Sequence, residues 1–118
     1  MIDDLEPVPS AEPIVEMTLA EVLAAAAEDL AGIVTETDGP TTTWSAVGRP
    51  FATLVGEWAE FRLDPLVARA ALRTPDAAQS PRGAAWVSFA PASIDEQAID
   101  RAEAWFLSAH RLAITARH

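Results

Sequence analysis

The chain has 118 residues, with 18 acids against eight bases and a formal charge of −10. That length suits one domain, large enough to hold a core without a staple. The absence of cysteine excludes disulfides and thiolate metal sites. No apolar run approaches the roughly 20 residues of a membrane span, and the acidic first residues lack the basic start of a secretory leader, so a cytoplasmic protein is expected.

The charge is unevenly placed. Ten of the acids precede the first base, Arg49, and beyond that point eight acids meet eight arginines. Nucleic-acid binding draws most of its affinity from cations that neutralise phosphates, so this distribution argues against DNA or RNA.

In chain order, residues 1–16 hold Pro7, Pro9 and Pro13 among acids and small residues and are expected to form a mobile tail, with one α+β domain over 17–118. Thr18 and Glu21 form a capping box opening a helix over about Thr18–Ala31, with Leu19, Val22, Leu23, Ala26 and Leu30 at helical spacing and Gly32 suited to its end. Ile33–Thr37 reads as a first strand, closed by the turn signal Asp38-Gly39-Pro40.

Three strands follow between Thr41 and Leu63. A two-residue turn at Gly56-Glu57 pairs Val55 with Trp58, Leu54 with Ala59 and Ala52 with Phe61. For the hairpin before it, a three-residue turn at Gly48-Arg49-Pro50 pairs Val47 with Phe51, Ala46 with Ala52 and Trp44 with Leu54, which keeps apolar side chains together. One face then carries Trp44, Ala46, Ala52, Leu54, Ala59, Phe61 and Leu63, and the opposite face carries Phe51, Thr53, Val55, Trp58, Glu60 and Arg62.

Asp64-Pro65 supplies an N-cap and first-turn proline for a short helix, Pro65–Arg73, ended by Thr74-Pro75. Residues 76–83 read as a flexible loop and Ala84–Phe89 as a last strand. A second capping box, Ser93 with Glu96, opens a long helix over about Ile94–Ala116. The fold class expected is an antiparallel sheet with the N- and C-terminal helices packed on one face.

The order of these elements, Arg49-Pro50-Phe51-Ala52 opening one strand, the Glu60-to-Pro65 run leading into a short helix, the lone strand Trp86-Val87-Ser88-Phe89 and Trp105-Phe106-Leu107-Ser108 on the last helix together resemble the MmcQ/YjbR-like family of double-wing domains. The resemblance covers about Thr18 to Ala113. It implies a frataxin-like α/β sandwich, a cytoplasmic bacterial setting and DNA binding, and it offers no catalytic residues to carry over.

Chemistry-bearing residues are few. Ser108 and His110 stand two apart on one helix and do not face each other, so no nucleophile–base pair is expected and His110 reads as a surface or flanking residue. Glu21 and Glu28 evoke the acidic first helix of frataxins, but a solvated face is the better reading, and no catalytic residue, metal ligand or cofactor is expected. Arg49, Arg62 and Arg82, with Arg69 and Arg73, are candidate contacts for a carboxylate or phosphate. Phe51, Val55, Trp58 and Trp86 on the face away from the helices form a candidate interaction surface. The function expected is a non-enzymatic interaction module, as a homodimer or adaptor. The alternative is a small-molecule-binding domain or minor enzyme with a cleft made by the short helix, the 74–86 loop and Trp86.

Overall fold

The computed structural model describes residues 17–115, so the expected tail at 1–16 and His118 lie outside the described residues. Helix α1 (Leu19–Glu28) is followed by strands β1 (Ile33–Asp38), β2 (Thr41–Ala46), β3 (Arg49–Val55) and β4 (Trp58–Arg62). Helix α2 (Pro65–Ala71), strands β5 (Ala77–Gln79) and β6 (Trp86–Phe89), and helix α3 (Glu96–Thr115) complete it. The strands make one antiparallel sheet of order β1-β2-β3-β4-β6-β5. The α+β class is as expected, with helices at both ends of the described chain.

The α1 cap is the expected box: Thr18 Oγ1 accepts from Glu21 N, and the Glu21 carboxylate accepts from Thr18 N at 2.9 Å. Asp64 caps α2 with Pro65 behind it, accepting from Leu66 N. The start of α3 differs from expectation. Asp95, not Ser93, caps it, accepting from Ala98 N at 2.8 Å, because the helix begins at Glu96 and Asp95 is the residue immediately before it, within reach of its third amide. The expected loop at 76–83 also contains a short strand, β5, which pairs with the edge of β6.

Helix α3 crosses β2, β3 and β4, and α1 packs against α3. Ala98, Ala102, Trp105, Phe106 and Ala109 are buried along α3, and their spacing puts them on one stripe. Aromatic rings meet edge to face beneath that stripe: Trp44 and Phe51 on Phe106 at 5.3 and 5.2 Å, and Phe89 on Trp105 at 5.1 Å. Trp44 and Trp105 are core residues, as expected.

The β3–β4 register is as expected, Val55 opposite Trp58 and Ala52 opposite Phe61. The β2–β3 register is not. The turn has two residues, Val47-Gly48, both at positive φ (53° and 74°), and Ala46 pairs with Arg49 and Ser45 with Pro50. The ladder then shifts, so that Trp44 pairs with Ala52 and Phe51 stands as an extra residue in a β-bulge. The extra residue needed to keep the apolar faces in phase therefore lies within the strand instead of the turn. As a result Phe51 does not project from the outer face: it is buried at 1% exposure against Phe106 and, at 5.5 Å, the ring of His110.

Candidate functional site

On the sheet face away from α3, cross-strand pairing sets Glu36, Thr43, Thr53, Glu60, Ser88 and Ala78 in one row across all six strands. Two polar members of that row are almost wholly enclosed, Thr53 at 1% and Glu60 at 3% exposure. An ionised carboxylate that leaves water needs charge and hydrogen-bond partners in compensation. The segment joining β5 to β6 supplies them.

Ser80 Oγ donates to Glu60 Oε2 and Arg82 Nε donates to Glu60 Oε1, each at 2.5 Å, while Thr53 Oγ1 donates to the same Oε1 at 3.2 Å. Ser80 Oγ also accepts from the backbone N of Arg82, which holds the short loop in place. Burial pushes the Glu60 carboxyl up, but hydrogen bonds from Ser80 and Arg82, the Arg82 charge and the Thr53 hydroxyl outweigh it, and the net shift is downward. Glu60 is thus a carboxylate at neutral pH.

Arg82 is fixed on a second side. Its guanidinium lies over the Trp86 ring, 5.1 Å from the centroid. Trp86 pairs with Arg62 across β4 and β6, so Arg62 and Arg82 flank one indole. Arg49 arrives from the start of β3, and its Nη1 donates to the Ala113 carbonyl near the end of α3 at 3.1 Å. Its pairing opposite buried Ala46 sets this aim toward α3.

These three arginines line one open cleft of about 360 Å³ together with Gly48, Pro50 and Trp86. Of the three candidate anion contacts named from the sequence, Arg62 and Arg82 meet at Trp86, whereas Arg49, opposite buried Ala46, sends its guanidinium to the α3 side of the sheet. Arg69 and Arg73 do not line the cleft, and neither does α2. The wall expected from the short helix is provided by the β2–β3 turn. That turn carries Val47 at φ 53°, a conformation uncommon for a β-branched residue, at the rim of the cleft.

The candidate aromatic surface is reduced. Phe51 belongs to the core, and Trp86 is half-buried under Arg82. Trp58 is 38% exposed beside half-buried Val55, but the Glu60 row separates that pair from Trp86. Sequence reasoning missed Glu60 as the hub of the outer face. The signal was present: an acid at an alternating strand position, set opposite a threonine by the β3–β4 register.

His110 is buried against Phe51 and its Nε2 has no partner among the described residues, so the surface role expected for it is corrected. The correction follows from the bulge, which turns Phe51 toward α3. Glu21 is engaged in the α1 cap, and among the described residues no group of three or more His, Asp or Glu could hold a metal ion. A groove of about 440 Å³ between α1 and the β1–β2 hairpin is lined chiefly by Ala20, Ala24, Ala27, Ile33 and Trp44, with Glu28 as its charged residue, and lacks convergent polar groups. No helix among the described residues is long and apolar enough to cross a membrane. Comparison with protein-family models, curated proteins and solved structures finds no match to this chain.

Proposed function

We propose that this domain is a non-enzymatic binding module whose ligand is a small anion held between Arg62 and Arg82 over the edge of Trp86. The observation that carries the reading is the meeting of Arg62 and Arg82, from two separate segments, at Trp86 in one cleft. Guanidinium forks are suited to carboxylate and phosphate oxygens. The setting is proposed to be a cytoplasmic bacterial protein of the MmcQ/YjbR-like family, on the loose apolar motifs quoted above.

Titration with acetate, citrate, sulfate and inorganic phosphate, read by Trp86 indole and arginine side-chain resonances, tests it. Saturable shifts confined to the cleft and weakened by Arg62→Gln are expected. Unmoved resonances at tens of millimolar of every anion refute it. A second reading, contact with a protein partner or a second copy, rests on exposed Trp58 beside Val55. Sedimentation across a concentration series tests that reading, and a monomer throughout speaks against the second copy.

A further inference from the structure

The sheet ends on one side in β5, three residues long, and on the other in β1, which has six residues and neither a proline nor a bulge. A very short edge offers a newcomer little to pair with, whereas a long regular one presents a row of backbone donors and acceptors. The turn at Gly39-Pro40 holds two residues, so Asp38 and Thr41 form a hydrogen-bonded pair, and bonded pairs alternate along the ladder from there. Ile33, Thr35 and Thr37 therefore send their N–H and C=O groups away from β2. No backbone hydrogen bond between described residues takes up those groups.

Side-chain direction decides what a seventh strand would meet. Thr35 stands opposite the core residue Trp44, so Ile33, Thr35 and Thr37 share the α3 side of the sheet, and Val34, Glu36 and Asp38 share the other. On the first side Ile33 and Thr35 line the groove of about 440 Å³ whose opposite wall is Ala20, Ala24 and Ala27 of α1. On the second side Val34, Glu36 and Asp38 are all exposed. A strand laid along β1 would thus turn alternate side chains toward a largely apolar groove and toward carboxylates.

Charge selects the occupant. Residues 17–48 hold five acids, Glu21, Glu28, Asp29, Glu36 and Asp38, and no base. A second copy of this chain would bring the same carboxylates on its own β1, and like charges set side by side disfavour that pairing. The segment 1–16 has five acids and no base, and its prolines at 7, 9 and 13 cannot donate to a ladder. We propose that the β1 edge takes up an extended basic segment of another protein as a seventh strand, with apolar side chains in the groove beside α1 and Lys or Arg side chains on Glu36 and Asp38. This site is separate from the arginine cleft and does not depend on it.

A capped heptapeptide of alternating valine and lysine is the probe, titrated into the full chain at about 50 mM salt with backbone amides followed by NMR. Saturable shifts should centre on Ile33, Thr35 and Thr37, and the amides of Thr35 and Thr37 should exchange with solvent about tenfold more slowly at saturation. The matching valine–glutamate peptide should not bind. Thr35→Pro removes an outward donor but no bond to β2, and should abolish binding. Glu36→Lys, at an exposed position, should weaken it at least about fivefold. Urea melts of both variants establish that each is folded.

Shifts that map away from β1, or binding undiminished in folded Thr35→Pro and in Glu36→Lys, overturn the edge assignment. Equal binding of the two peptides overturns the choice of a basic partner, and unmoved resonances at millimolar peptide overturn the proposal as a whole. Self-association that Glu36→Lys or Thr35→Pro abolishes would give the edge to a second copy instead.

Discussion

The two faces of this sheet exclude water by different means. Toward α3, Phe51, Phe61, Phe89 and Trp44 are enclosed by Trp105 and Phe106, and shape and apolar area account for the burial. On the opposite face Thr53 and Glu60 are as deeply enclosed, yet what closes over Glu60 is a short loop whose Ser80 and Arg82 reach the carboxylate. The first face tolerates little change of volume; the second tolerates little change of polarity. A buried acid on the sheet face away from α3 therefore marks the place where a loop and a cation come down onto the sheet.

The largest expected effect breaks the apolar side. Phe51→Ala should cost about 3–5 kcal/mol, because it removes a ring packed against both Phe106 and His110. A urea melt within about 1 kcal/mol of the wild type would mean that the bulge does not turn this residue inward. Glu60→Gln should cost less, about 1–2 kcal/mol, since the Arg82 guanidinium it leaves behind is 42% exposed and can be solvated.

The pH dependence of that variant separates the two faces further. Because the folded Glu60 carboxyl lies below its ordinary value of 4.5, its contribution is present above that value and lost as pH falls through the folded pKa. The stability gap between wild type and Glu60→Gln should therefore narrow below about pH 4.5, whereas the Phe51→Ala gap should not change with protonation of this group. Urea melts between pH 3 and 7 read both.

Smaller effects probe the exposed margins of each face. Trp58→Ala should cost about 1 kcal/mol or less in folding, as its ring is partly solvated; a larger loss would place Trp58 in a second apolar cluster. Val47→Asn should stabilise by roughly 0.5 kcal/mol, because asparagine adopts positive φ more readily than a β-branched residue. A thermal melt showing destabilisation would indicate that Val47 makes a contact outweighing its backbone strain.

Much of this architecture could be read from local patterns. Thr18 with Glu21, Asp64 with Pro65, and Gly56 between two alternating runs each specify structure through neighbours a few residues away, and each behaves as those patterns require. The requirement that Trp44 and Ala46 share a face with Ala52 and Leu54 was also legible. Where the compensating residue sits was not, since a longer turn and a bulge satisfy the same alternation and only packing against Phe106 and His110 decides between them. The arginines of the cleft could be named individually, but their meeting depends on strand order and on a loop spanning Ser80 to Arg82, which no local period encodes. Glu60 looked like an ordinary polar position on a solvated face because its partners lie 20 and 22 residues downstream.

The bulge also bears on how this chain can vary in length. Residues before it, β1 and β2 included, are in step with β3 through one unpaired residue. Deleting Pro50 or Phe51 would restore an uninterrupted ladder with Ala46 still opposite Arg49 and Trp44 still opposite Ala52, so the sheet would keep its faces and lose only the inward-turned ring of Phe51. Related chains that lack an aromatic ring at position 51 are therefore expected to tolerate one residue fewer here without a change of strand register.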